Sequence, residues 1–411
     1  MTEKTKKILF IAGFVVLSVA IGFALYYFFF RPLISPTEEA PTVPADQIYG
    51  GLPTAGEGVP GAPTEVLPPG LLPPTAGITP GEALEGEPSR VTLLYDAVSQ
   101  AVTPSPDGQG ARFYDPDDGR FYRVNPDGSI TRLGDKQFFN VENVSWGQKT
   151  DKAVLEFPDG SNVLYDFTAK RQTTLPKHWE EFAFSPDDEQ IVAKSIGIDP
   201  SNRFLIVTSP DGNEARAIEP LGQNANKTIV EWSPNNQVIA FALTGKPQPD
   251  GAQEVLLIGE NRENFKSLIV PGRGFQPNWS PTGKQILYSV YHERDEFRPS
   301  LWVSGGVGDQ IGEDRRGLNL KTWADKCAWV DENDLICGVP QSLEIGAGLA
   351  PQNFTNVPDD VYRVNLRTGV STKINTPDQI YPISNPVVSA DKSKLIFSDA
   401  STGRLYEYDL P

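Results

Sequence analysis

One phrase, repeated seven times, constrains this chain more than anything else in it. An aromatic or apolar residue leads into Ser-Pro or a variant, then a polar turn, then a short apolar strand. The copies begin at Thr103 (TPSPDGQGARFYD), Val144 (VSWGQKTDKAVLEF), Phe182 (FAFSPDDEQIVAKS), Val230 (VEWSPNNQVIAFAL), Pro277 (PNWSPTGKQILYSV), Cys327 (CAWVDENDLICGV) and Pro386 (PVVSADKSKLIFSD). Their anchors are Pro104, Trp146, Phe184, Trp232, Trp279, Trp329 and Val388, at intervals of 42, 38, 48, 47, 50 and 59 residues. A unit of this length that buries its apolar face only against its neighbours signals a propeller or a solenoid.

The local chemistry decides between the two. Ser-Pro-Asp-Gly places proline at a turn corner and a residue tolerant of positive φ after it. The flanks alternate as half-buried strands do. A second strand–turn–strand follows in most units, as in FYRVNPDGSITRL from Phe121 and VYRVNLRTGVSTKI from Val361. Four strands per unit, with no amphipathic helix between units, describe a propeller blade. Seven anchors give an all-β, seven-bladed propeller, and the 59-residue interval leaves room for six or eight. After the last copy only Arg404–Asp409 remains, so the last blade lacks its fourth strand. The unassigned strand Val91–Asp96 would supply it, close the ring and remove two exposed edges.

The Trp/Phe-Ser-Pro-Asp-Gly phrase and the apolar strand after it resemble the TolB-type, WD-like β-propeller repeats of bacterial envelope proteins, over residues 91–411. The resemblance implies fold and an envelope setting; propellers host many functions, so it implies no activity. Copy two (Trp146-Gly147) and copy six (Trp329-Val330-Asp331) depart from the phrase.

Ahead of the repeats, Ile8 to Phe30 is an uncharged apolar run of 23 residues. At 1.5 Å per residue it makes about 35 Å of helix, enough to span a bilayer. Lys4, Lys6 and Lys7 precede it and only Arg31 follows closely, which predicts residues 1–7 in the cytoplasm and the rest outside. A signal peptide cut after Ser18-Val19-Ala20 would leave ten apolar residues at the new terminus, which favours an uncleaved anchor. Residues 32–89 hold 13 Pro, 9 Gly and eight acids, with no Lys or Arg. Such a segment cannot bury enough apolar surface to order itself, and residues 31–90 are expected to be a disordered spacer of about 40–45 Å mean span.

The 36 basic and 53 acidic residues leave a net charge of −17, which repels a nucleic acid. Cys327 and Cys337 are the two cysteines. If the hairpin turns at Glu332 they face each other on adjacent strands, and outside the cytoplasm they would oxidise to a disulfide. The alternative is two buried thiols. With two histidines, His178 and His292, and no nucleophile elbow, His-Glu-x-x-His or phosphate loop, no catalytic residue, cofactor or metal site is expected. Asp115-Pro-Asp117-Asp118-Gly119 resembles a calcium loop superficially but is one residue short, so it reads as a turn. His178, beside Trp179, reads as a packing residue. Two stretches could carry binding: the charged cluster His292, Glu293, Arg294, Asp295, and the long insertion 339–358 with Glu344, Asn353 and Phe354. The expectation is an anchored, extracytoplasmic scaffold that binds an envelope protein or extracellular ligand noncovalently. The alternative is an envelope hydrolase or lyase working in the propeller channel.

Overall fold

The computed structural model describes residues 90–374 and 380–411, with the backbone of Pro80–Gly81. These residues build seven sheets, each of four antiparallel strands, spanning 100–132, 143–175, 179–220, 228–270, 273–317, 327–373 and 383–409 with 91–95, and the sixth carries a fifth, two-residue strand on its edge. The first strands of neighbouring sheets approach one another, so they surround the axis and later strands step outward. Seven blades therefore replace the range of six to eight. The long interval before the last blade holds the loop 341–358, with short 3-10 turns at Ala347–Leu349 and Pro351–Asn353.

The Ser-Pro phrase acts through the serine. Ser105 Oγ donates to Asp107 at 2.5 Å and accepts from the Gly110 N–H at 3.0 Å. The Ser105 N–H donates to the Gly110 carbonyl at 2.9 Å, and the N–H of left-handed Gly108 returns to the Ser105 carbonyl at 2.8 Å. One hydroxyl thus clamps both ends of the turn. Ser185, Ser233 and Ser389 repeat the pattern with Asp187, Asn235 and Asp391. The left-handed position is then Asp188, Asn236 and Lys392.

The two departures from the phrase have separate remedies. In blade 2 the turn is held from blade 3: the Asp188 carboxylate accepts from the Gln148 and Lys149 N–H groups, at 2.5 and 2.9 Å, and from Thr150 Oγ1 at 2.6 Å. Gly147 is needed there, because a Cβ would lie 2.9 Å from that carboxylate. In blade 6 Asp331 does the work locally, accepting from the Asn333 and Asp334 N–H groups.

Blades are joined by apolar side chains that interleave between sheets. One such layer packs Tyr114 and Phe121 of blade 1 against Trp146, Leu155 and Tyr165 of blade 2. Within the next layer of contacts Arg112 is buried, 1% exposed, with its guanidinium 4.6 Å from the Trp146 ring. It donates to the Thr150 and Gly147 carbonyls at 2.8 and 2.7 Å and lies 3.3 Å from Asp151. Burial pulls its pKa below the ordinary value, and Asp151 opposes that.

The predicted closure is present. Val91–Tyr95 pairs antiparallel with Leu405–Asp409, Val91 opposite Tyr408 and Leu93 opposite Tyr406. Cys327 and Cys337 are cross-strand partners joined by a disulfide, with Cα atoms 4.1 Å apart. The predicted anchor 8–30 lies outside the described residues, as does most of the spacer. Its Pro80–Gly81 pairs parallel with Ser371 and Thr372 on the outer edge of blade 6. Among the described residues no helix is long and apolar enough to cross a membrane.

Candidate functional site

The Ser-Pro turns converge at one mouth of the channel, around a cavity of about 770 Å³ to which all seven blades contribute. Its wall includes five prolines, Pro104, Pro186, Pro234, Pro281 and Pro386, and four aromatic residues, Phe184, Trp232, Trp279 and Trp329, of which only Trp329 is more than marginally exposed. Two charged side chains line it, Lys149 and Glu231. Lys149 is exposed at its position after the blade 2 strand, whereas Glu231 is half-buried just after the first strand of blade 4, Thr228–Val230. Burial pushes the Glu231 carboxyl up to about 7, against a hydrogen bond from the Trp279 backbone N–H.

The opposite mouth is acidic. A second cavity, about 520 Å³, is lined by Glu142, Glu156 and Glu181 beside Gln100 and Asn143. Left-handed residues shape this end. Ala101, Glu181, Gly274 and Asn385 all have φ near +50° to +70° and sit at bulges in the first strands of blades 1, 3, 5 and 7. A bulge turns an extra backbone amide away from the ladder. At Glu181 that N–H donates to Glu156 Oε1 at 3.0 Å. Burial pushes the Glu156 carboxyl above its ordinary value; the Glu181 N–H opposes this, and the charges of Glu181, Glu180 and Glu142 add to it. Glu181 in turn pairs at 2.7 Å with Lys194, whose side chain is 3% exposed. No three potential ligands among the described residues are placed to hold a metal ion.

The two predicted binding stretches meet. His292 caps the 3-10 turn Glu293–Asp295, its Nδ1 accepting from the Arg294 N–H at 2.9 Å and its Nε2 donating to the Asp250 carbonyl at 2.6 Å. Arg294 lies 3.5 Å from Asp250, and Asp295 pairs with Lys321. The insertion docks on this turn: the Gly346 and Gly348 N–H groups donate to the Glu296 and Phe297 carbonyls, and Arg298 Nε donates to the Leu343 carbonyl. Glu344 is exposed beside this junction, while Asn353 and Phe354 lie beyond it at the end of the second 3-10 turn. Gly348, Leu349 and Pro351 of the insertion border a cavity of about 330 Å³ with Phe275, Tyr291 and Trp323, and none of the seven predicted binding residues lines it.

His178 differs from its expected role: its ring meets Trp179 edge-on at 6.4 Å but stays exposed. The Asp115–Gly119 segment is a hairpin turn, with the Gly119 N–H donating to the Asp115 carbonyl and the Tyr95 hydroxyl donating to the Asp115 carboxylate.

Glu231 was not among the expected residues, yet a signal existed. Aligning the seven copies puts Thr103, Ser145, Ala183, Glu231, Asn278, Ala328 and Val387 at the same place, before the anchor. Glu231 alone is charged.

No family model matches the chain, and no curated protein matches it. Solved structures do. An oligogalacturonate lyase from Vibrio parahaemolyticus is 12% identical with a TM-score of 0.53, covering 80% of this chain and 96% of its own. The β-propeller domain of Cps50 (Swd1) from Myceliophteria thermophila is 10% identical with a TM-score of 0.52, covering 79% and 100%. An oligogalacturonate lyase in complex with manganese is 14% identical with a TM-score of 0.52, covering 79% and 93%. What this chain has in common with these proteins is the propeller fold.

Proposed function

We propose that this chain is a noncovalent binding module: a TolB-type propeller held outside the cytoplasm by the apolar run Ile8 to Phe30 and carried off the membrane of a bacterial envelope by residues 31–90. The observation that supports binding is the Ser-Pro mouth. It is a cavity of about 770 Å³ with walls from all seven blades, in which five prolines and four aromatic residues alternate with polar ones and two side chains are charged. A concave site that joins apolar surface to a few placed polar groups suits recognition. Its backbone is held by the serine clamps, so little ordering entropy is lost on binding.

The alternative, a hydrolase or lyase, draws on the raised Glu156 carboxyl at the other mouth. That group is engaged by the Glu181 amide, and Glu181 by Lys194. Neither channel cavity has a histidine in its wall.

The test is crosslinking and capture from native membranes with the full chain, beside Gln148→Trp, which places a ring at an exposed position on the Ser-Pro mouth. A reproducible partner lost in Gln148→Trp supports the reading. Absence of any reproducible partner, or equal recovery by both, counts against it.

A further inference from the structure

Glu231 is a carboxylate in a channel wall with no cation beside it. No ion pair involves it among the described residues, and the backbone N–H of Trp279 is its one hydrogen-bond donor. Burying a carboxylate is unfavourable unless a positive group compensates it. The wall offers none: Lys149, the other charged side chain there, comes from blade 2 and is exposed. The six equivalent positions are neutral, so the negative charge is single and belongs to blade 4. Around it lie Pro104, Pro186, Pro234 and Pro281 and the half-buried Trp329, surfaces suited to a hydrocarbon stem and to a cation, while Phe184, Trp232 and Trp279 are buried between blades.

We propose that this mouth binds one organic cation, an alkylammonium or guanidinium group donating to the Glu231 carboxylate, with its apolar stem against the prolines and Trp329. The proposal rests on the binding reading above and adds the ligand class. The cation can come from a free amine or from a lysine or arginine of a polypeptide. Because the Glu231 carboxyl of the free protein is pushed up to about 7, the cation displaces its proton. Affinity therefore rises with pH up to about 7 and levels off above it.

The experiment is calorimetric titration of the detergent-solubilised full chain with three probes: butylguanidinium, acetyl-Ala-Arg-Ala-amide and its neutral citrulline counterpart. The arginine peptide should bind about tenfold or more tighter than the citrulline peptide, the size of one charge-assisted hydrogen bond. Glu231→Gln should erase that difference and the pH dependence. A thermal scan confirms that the variant is folded, and Glu231→Asp, which keeps the charge, should retain part of the preference if Gln disturbs the fold. Butylguanidinium binding as tightly as the peptide assigns a small amine; weaker binding assigns a polypeptide. Equal affinity for arginine and citrulline, no binding of either cation, or an unchanged preference in folded Glu231→Gln overturns the proposal. If membrane capture still depends on the mouth in that case, the binding reading stands and only the ligand class falls.

Discussion

Replacing Arg112 by Met tests whether blades 1 and 2 are held by a buried cation rather than by apolar packing alone. Met keeps the stem but withdraws the fork. It leaves the Thr150 and Gly147 carbonyls, now served at 2.8 and 2.7 Å, without donors. Each buried acceptor so exposed costs about 1–2 kcal/mol. The contact with the Trp146 ring at 4.6 Å adds about 1 kcal/mol. Against this, Arg112 Nε has no partner, so its removal returns about 1 kcal/mol. Asp151 keeps Arg123 at 2.5 Å and is not stranded. The net loss is about 3 kcal/mol. A domain of roughly 320 residues has an unfolding entropy near 0.7 kcal/mol/K, so Tm should fall by about 4–5 °C. Differential scanning calorimetry reads this directly, with Arg112→Lys falling between because an ammonium cannot reproduce the fork. A Met variant within about 1 °C of the parent would show that the guanidinium merely fills space, and the argument would fail.

Four further outcomes follow from the same geometry. Asp188→Ala should destabilise by about 3 kcal/mol and speed hydrogen exchange at the Gln148 and Lys149 amides of the neighbouring blade, since it strips the acceptor from both; protected amides would refute the inter-blade clamp. Reducing Cys327–Cys337, which closes a loop ten residues apart, should cost about 2–3 kcal/mol, seen as a lower Tm in reductant that a Cys327→Ala/Cys337→Ala double variant does not show. Burial raises the Asp359 carboxyl to about 6, with Lys326 at 2.7 Å opposing the shift. Since the folded value exceeds the unfolded one, this group adds stability as pH falls from about 6 toward 4, and Asp359→Asn should lack that increment when the two proteins are compared by denaturant titration at pH 7 and pH 5. Starting the chain at Gln100 removes the Val91–Tyr95 strand and bares the Leu405–Asp409 edge, so the shortened protein should self-associate in light scattering; a stable monomer would mean the closing strand is dispensable.

The fold was readable because its signals are local and repeated. Each Ser-Pro turn needs only the five or six residues it contains, and the surplus strand at Val91 was visible as a missing partner at Asp409. The disulfide was readable for the same reason, lying within one hairpin. What escaped was non-local. Arg112 sits in GARFYD, where nothing distinguishes a strand arginine facing water from one inserted between blades. Asp188 looks like an ordinary turn residue, although its carboxylate serves the blade before it. The partners of the charged run from His292 were equally out of sight, since Asp250, Lys321 and the insertion all lie far from it in sequence. The channel carboxylate Glu231 needed a comparison across copies, because its meaning lies in what the other six blades lack.

The final blade is built from both ends of the ring. Val91–Tyr95 is made before any blade and then waits, unpaired, until Leu405–Asp409 exists. Six blades can stack as their hairpins emerge, each step short in sequence, but the last seam is a single long-range event. Because closure entropy grows only with the logarithm of the loop, that delay taxes the rate of folding far more than the stability of the finished molecule. Until it happens the nascent protein is an open arc with two sticky rims, and whatever chaperone attends its synthesis has those rims to guard.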